Sequence, residues 1–541
     1  MKRRTFLKSA LATSAVAPFM LNGIPTRANS SLEILAQLPQ AADDDRILII
    51  CQFFGGNDGI NMMPPVEDQN IQKYQQIRPN INVAKDKCWT NAAAAGVYLH
   101  PALAAGDKGG LANLLIQGKL AFIRNVGYEH PSLSHFRSTD IWLSGISGPN
   151  NNSPDLRLDT GWLGRHLQKK YPNFPTDLPD DPLAIQFGGF SLALQSSVGR
   201  MGIEVNDPSK QQGVISSSDA LDADSPNTAY LDEYNFVADI AARSDKYAQH
   251  VKDAYSAGKG LLKGKYNTKD PFAAQLANTA ALIAGGLKTK VYFVSMGGFD
   301  THVSQTLQGD GTVGLHSQLM SNFSDAVAQF MSDMTLLNHA DNVIGISISE
   351  FGRRPEENGS FGTDHGAGSV MFAFGSQINS GIYGGLFDLN NFDESDNLSV
   401  QIDFRRVYAD ILTTWYGLTI EDTWDILKDD SHLVTPLGLI KSKSGAVKQP
   451  RMSDIPFSIT SNYPNPFTDR TTLVLYTPDT RSVTIEVTDL VGNPIAHFVT
   501  QTFSKGEHQI PIDLNVAAGS YMVVARSAGG TVTKLIQCLG R

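Results

Sequence analysis

Four runs of aliphatic and β-branched residues constrain this chain most: 46-RILIICQFF-54, 290-KVYFVSM-296, 343-VIGISIS-349 and 370-VMFAFG-375. They are almost continuously apolar, so each reads as a strand buried on both faces. A fifth run, 120-LAFIRNV-126, has the same character. Helical spacing appears over 231–257, 273–286 and 315–338, and in the last Leu319, Phe323, Val327, Phe330 and Met334 fall on one face. Strands alternating with helices predict an α/β domain, a parallel sheet covered by helices on both faces.

Ligands of such sheets gather beyond the carboxyl ends of the strands. Four of the predicted strand ends carry polar clusters: 55-GGNDG-59, 127-GYEHPSLSHFRSTDIWLSG-145, 297-GGFDTH-302 and 350-EFGRRPEENGSFGTDHG-366. Together they place acids, histidines, serines and arginines along one edge. Carboxylates with imidazoles suit a divalent cation such as zinc or manganese, and a serine hydroxyl needs a base or a metal to become a nucleophile. Asp300 and His302, two apart on an extended segment, point the same way and can share an ion. His365 sits in a glycine-rich turn that can approach from another strand, and Arg353 and Arg354 offer forked donors for a phosphate or sulfate. Each has a structural alternative. Asp58 and Asp364 can be turn residues, Glu350 can cap a helix or pair with Arg353, Ser134 can cap the helix after it, and the two arginines can be a solvated pair.

Composition excludes some partners. Lys+Arg 44 against Asp+Glu 54 gives a net charge of -10, which offers no basic field for nucleic acid. The three cysteines, Cys51, Cys88 and Cys538, lack metal-knuckle or CxxC spacing. A chain of 541 residues is too long for one ordinary core, so two or more domains are expected.

The two ends read as addresses. Arg3 and Arg4, followed by Thr5, Phe6, Leu7, Lys8 and an apolar run rich in alanine and serine, look like a twin-arginine export signal. That run is too short and weak for a permanent membrane span. After about Ile455, six short alternating strands predict a small antiparallel β-sandwich. Its words 462-NYPNPF-467, 488-TDLVGNPI-495, 505-KGEHQI-510 and 518-AGSYMV-523 resemble the C-terminal sorting domain of the type IX secretion system. That resemblance implies recognition by the secretion machinery and a place from periplasm to outer-membrane surface or medium. The polar stretch 441-KSKSGAVKQPRMSD-454 reads as a linker. The chain thus divides into a signal peptide over 1–30, the α/β domain over 44–440, a linker over 441–456 and the sorting sandwich over 457–541.

The central words 55-GGNDGINMMPP-65, 134-SHF-136, 297-GGFDTH-302 and 349-SEFGRRPEENGSFGTDHG-366 resemble the domain-of-unknown-function family 1501, a relative of alkaline phosphatases and sulfatases. The resemblance implies an alkaline phosphatase-like α/β fold, a nucleophilic Ser or Thr and one or two metal sites. By position, Asp58, Asp300, His302 and His365 resemble metal ligands. Ser134, with Ser132 second, is the candidate nucleophile, before a helix whose backbone donors help hold an anion. Phosphatases carry an Asp-His pair where this chain has Glu350 and no following His, so either Asp364 and His365 take that role or the second metal site is incomplete. No Cys-x-Pro-x-Arg or Ser-x-Pro-x-Arg signature surrounds Ser134, so formylglycine chemistry is unsupported. The sequence therefore predicts an exported hydrolase of phosphate or sulfate esters. It would use a divalent metal (zinc first; manganese, calcium or magnesium as alternatives), Ser134 and Arg353 in catalysis, and Asp58, Asp300, His302, Glu350, Asp364 and His365 around the metal. The rival expectations are a non-catalytic surface protein binding a glycan, an anionic polymer or a protein, and a metal-binding structural protein.

Overall fold

The computed structural model describes residues 45–67, 70–189, 191–211, 247–307, 309–393, 395–441, 457–477, 479–489, 493–527 and 530–540. The expected signal peptide, the expected linker beyond Lys441 and most of the expected 231–257 helix lie outside the described residues; of that helix, residues 247–258 are helical.

The strands of the α/β unit are β1 (Ile47–Phe53), β2 (Leu120–Gly127), β3 (Ala184–Gln186), the small hairpin β4 (Gln195–Ser196) and β5 (Gly199–Arg200), β6 (Ile203–Glu204), β7 (Val291–Met296), β8 (Val343–Ser349), β9 (Gly352–Glu357), β10 (Thr363–Gly366), β11 (Ser369–Gly375), β12 (Gly381–Tyr383) and β13 (Ile402–Asp403). Nine of them form one sheet in the order β12-β2-β11-β8-β1-β7-β3-β6, with β13 also on β2. β9 and β10 form a separate antiparallel pair.

β1 is central because all seven of its residues are buried. Its side chains alternate between two cores. Ile47, Ile49, Cys51 and Phe53 join the helices Pro271–Ala284 and Leu315–Leu336 on one face. Leu48 and Ile50 join the helices His135–Ser144 and Trp162–Lys170 on the other. The expected helix face, Leu319, Phe323, Val327, Phe330 and Met334, is buried throughout. Helix Pro271–Ala284 starts where Asp270 accepts from the Ala273 amide and Pro271 occupies the first turn.

The sheet is mixed, which corrects the expectation of an all-parallel one. β11 runs antiparallel to both β8 and β2, while β8, β1, β7, β3 and β6 are parallel. The carboxyl ends of β1, β2, β7 and β8 therefore share one edge, and the residues leading into β11 arrive at that same edge.

The C-terminal unit has seven strands rather than six: β14 (Ser458–Tyr463), β15 (Arg470–Thr477), β16 (Arg481–Thr488), β17 (Pro494–Phe503), β18 (Gly506–Asp513), β19 (Gly519–Ser527) and β20 (Gly530–Cys538). β14 escaped the sequence reading because it runs into the proline-rich word 462-NYPNPF-467. Sheets β14-β15-β18 and β17-β16-β19-β20 share one core that includes Leu473, Leu475, Ile485, Val487, Ile512 and Val523. No helix among the described residues is long and apolar enough to cross a membrane.

Candidate metal centre

The site begins with a glycine. Gly55, just past β1, has φ 122, and a Cβ there would fall 2.1 Å from the Asp300 amide nitrogen. Only glycine lets the segment after β7 pass so close. The Gly55 N–H donates to Glu350 Oε1 at 2.8 Å, which ties the ends of β1 and β8 together. Gly55→Ala is expected to push the 299–302 segment outward and to lower stability by about 1–3 kcal/mol in thermal unfolding; an unchanged transition would contradict this packing.

Beyond β7 the backbone alternates its side chains. Thr301 is turned inward and buried, while Asp300 and His302 face out, half exposed. His302 Nε2 lies 3.1 Å from Asp300 Oδ1 and 2.9 Å from His365 Nε2. His365 Nε2 is 3.2 Å from the same Asp300 oxygen. His135 Nε2 approaches the other oxygen, Asp300 Oδ2, at 3.5 Å. His135, Asp300 and His365 each offer a donor atom within 4.8 Å of the others. The rings of His135 and His365 stand 4.5 Å apart, and Phe351 lies 4.4 Å from His365.

The far nitrogens of these rings are all engaged. Nδ1 of His135 meets Glu350 Oε1 at 2.8 Å, Nδ1 of His302 meets Asp364 Oδ1 at 3.0 Å, and Nδ1 of His365 meets the Leu133 carbonyl at 3.0 Å. Each of these partners is an acceptor, so Nδ1 of each ring is placed to donate, and the Nε2 atoms are the ones that converge on Asp300. A hydrogen bond from Asn358 together with His302 holds the Asp364 carboxyl below its usual range, which keeps it ionised as that acceptor. Burial alone would raise Asp300, but Arg353, His365 and His302 outweigh it and lower its pKa. Burial lowers His365 against the pull of Asp300 and the Leu133 carbonyl.

The family model described as protein of unknown function DUF1501 matches residues 149–419, half of the chain. The protein belongs to that family. The match spans Asp300, His302, Glu350, Arg353, Asp364 and His365, whereas Asp58, Ser134 and His135 precede it in this DUF1501 member. A second model, the secretion system C-terminal sorting domain, matches residues 461–537. That domain marks the protein for export, to the outer-membrane surface or beyond, and implies contact with the type IX secretion machinery. No curated protein matches in sequence. Among solved structures, the chain is similar to a Bacteroides thetaiotaomicron protein of glycosaminoglycan metabolism, with 9% identity, TM-score 0.30 and coverage of 90% of this chain and 89% of that one. A candidate sulfatase from Bacteroides fragilis gives 10% identity, TM-score 0.32 and coverage of 88% and 90%. Overlaps this loose say nothing about activity.

Several expected site residues of the DUF1501 member take other places. Asp58 is not among the groups around Asp300. It is fully buried, caps the helix Gly59–Met62 through the Asn61 amide, and accepts from Arg78 Nη1 at 2.6 Å and Gln305 Nε2 at 2.5 Å on one oxygen. Burial would raise its pKa, yet Arg78 and His316 hold it below the usual range. The turn-and-cap alternative describes it better than metal ligation. Arg353 is also corrected, from substrate contact to scaffold. Its guanidinium is buried and donates to the carbonyls of Gly55, Gly56, Phe299 and Thr363 and to Asp300 Oδ1. Its neighbour Arg354 alternates to the other side of β9, is partly exposed, and makes no side-chain hydrogen bond or ion pair among the described residues.

Glu350 and Asp364 stand behind histidines rather than beside Asp300's free oxygen. Glu350 Oε2 is buried with no hydrogen-bond partner. Ser134 is exposed at the N-cap of His135–Ser144, and its side chain makes no capping bond. Ser132 is buried, and its backbone is held by the Tyr128 hydroxyl. The residue that sequence reasoning missed is His135. It lies in the quoted word 134-SHF-136, and the absent histidine after Glu350 was the clue: Glu350 takes its histidine from another strand end.

Proposed function

We propose that this DUF1501 member is an exported, metal-dependent hydrolase of anionic esters, of the phosphate or sulfate class, built on an alkaline phosphatase-like α/β fold. One observation carries the reading: the Nε2 atoms of three imidazoles, each backed at Nδ1 by an acceptor, converge on one carboxylate. A shared proton or a metal ion can bridge the His302 and His365 Nε2 atoms, 2.9 Å apart, and the carboxylate and third imidazole that converge on the same point favour the metal. The donor spacings around Asp300 also suit a small ion. Donors about 2.0–2.1 Å from a tetrahedral zinc stand roughly 3.4 Å apart, and here the separations are 2.9, 3.1, 3.2 and 3.5 Å.

In this reading Asp300, His302, His365 and His135 hold the ion, zinc before manganese, magnesium or calcium, because the donors are imidazole and carboxylate. The ion, when bound, supplies positive charge against the charge that develops on the ester oxygens. Glu350 and Asp364 fix the tautomer and direction of the rings they touch, the usual part of a carboxylate behind a ligating histidine. Arg354 offers its free fork to the ester's anionic group. Ser134 presents an unbonded hydroxyl at the start of a helix, where backbone donors favour an anion, and serves as nucleophile.

Metal analysis of the purified protein, with an ester panel on wild type, His302→Ala and Ser134→Ala, tests this. The expectation is bound metal in wild type, metal lost in His302→Ala, and metal kept but turnover reduced on the order of 10³-fold or more in Ser134→Ala. A folded chain that takes up no divalent ion would sink the proposal. Metal without turnover on phosphate, sulfate or phosphonate esters would move the site to the non-catalytic surface-protein reading.

A further inference from the structure

We propose that Asp58 and Gln305 are positioning residues that set the spacing of the two loops carrying Asp300, His302, Asp364 and His365. The inference rests on the metal reading of that cluster and adds what holds it in register. Gln305 is fully buried. Its Nε2 donates to Asp58 Oδ2 at 2.5 Å, which fixes the amide's orientation. Its Oε1 therefore faces the other way and accepts from two hydroxyls, Thr301 Oγ1 at 2.9 Å and Thr363 Oγ1 at 2.7 Å.

Those threonines are the inward-facing members of the two alternating segments. Thr301 lies between Asp300 and His302, and Thr363 precedes Asp364 and His365; both are buried. Gripping them from inside sets how far the outward-facing rings stand from each other. The Thr363 amide also donates to the Thr301 carbonyl at 3.2 Å, so the two loops are coupled by backbone as well as by the shared amide. Asp58 extends the grip to a third segment. Arg78, paired to it, donates to the carbonyls of Arg354 at 2.9 Å and Pro355 at 2.7 Å on β9, whose partner strand β10 pairs His365 with Arg353. An acid read from the sequence as a ligand thus acts two bonds away from the ligands, through an amide and two hydroxyls.

The test compares full-length wild type with Gln305→Leu and with the double variant Thr301→Val/Thr363→Val, which removes the same bonds with little change of shape. One readout is zinc affinity by competition with a chromogenic chelator. The other is the His302–His365 Nε2 separation in crystal structures of metal-free protein. Both variants are expected to bind zinc about ten- to a hundredfold more weakly and to widen that separation. Adding the threonine changes to Gln305→Leu should cost nothing further. Wild-type zinc affinity in variants whose unfolding midpoint has dropped would overturn the proposal, because the bonds would then serve folding alone. So would full additivity of the two sets. Should Gln305→Leu fail to fold, the isosteric threonine pair carries the same expectations. A wild-type chain that takes up no zinc would defeat the metal reading instead, and an unchanged separation in the metal-free variants would then overturn the positioning proposal by itself.

Discussion

Replacing Arg78 with methionine is expected to cost the α/β unit about 3–5 kcal/mol of folding stability, the usual penalty for stranding one member of a buried ion pair. Asp58 and Arg78 are both fully buried and 2.6 Å apart, and among the described residues no other Lys or Arg pairs with the Asp58 carboxylate. The same guanidinium serves Asn61, which also accepts from the Tyr74 hydroxyl, and the carbonyls of Arg354 and Pro355, so the loss includes the buried Pro355 carbonyl and weakens two further contacts. All five tryptophans, Trp89, Trp142, Trp162, Trp415 and Trp424, precede the linker, so their fluorescence in urea reports this unit and not the sorting sandwich. The pH dependence has a definite sign. With Arg78 present, the Asp58 carboxyl is lowered, so its stabilising share holds above the unfolded value near 3.9 and fades as pH falls through the folded one. Without Arg78, burial prevails and the carboxyl prefers its proton, so the deficit of Arg78→Met should shrink in acid. A deficit below about 1 kcal/mol at pH 7 would show that the pair is not the keystone its burial implies.

Stability of the same unit should also fall steeply on acidification below pH 6.5, before most carboxylates titrate. His100 and His316 are pushed down to about 4, and His166 to about 3, by burial first of all. Their unfolded counterparts titrate near 6.5, so between about 6.5 and 4 the unfolded chain binds three protons that the folded one refuses. Each refusal is worth about 1.4 kcal/mol per pH unit, and the three together roughly 4 kcal/mol per unit. His166 is the cleanest one to remove. Neither of its ring nitrogens has a hydrogen-bond partner, and its ring stacks on Tyr416 at 4.3 Å. His166→Leu should reduce the slope of unfolding free energy against pH by about a third. The same slope in the variant would mean that the ring escapes to solvent before it protonates.

Much of the scaffold was legible because apolar runs declare themselves. The β1 run and the Leu319–Met334 stripe are read from side-chain type and period alone, and both lie in the core. The edge of the sheet was legible too, since polar clusters followed β1, β2, β7 and β8 and those ends coincide. What sequence could not assign was the inward or outward direction of individual polar residues. Arg353 and Arg354 are chemically equal in the sequence, and only the pleat of β9 buries one and leaves the other free. Asp58 looked like a ligand because its partner Arg78 stands in 75-QQIRPN-80, a segment with no motif character. His135 was hidden beside the more obvious Ser134, 215 positions from the glutamate that orients it. Long-range pairing of single side chains leaves no periodic trace, so periodicity cannot find it.

The reversed direction of β11 has a practical consequence. The other strands that carry the proposed ligands deliver them as the chain leaves the sheet, but here His365 comes as the chain arrives. From Gly375 onward the polypeptide departs at the opposite edge, and Asn379 and Ser380 are exposed there. That corner is a handle remote from the donors. A protease site, an epitope or an inserted reporter placed there would leave all four proposed ligands on one side of the cut, and so would separate manipulation of the scaffold from manipulation of the chemistry.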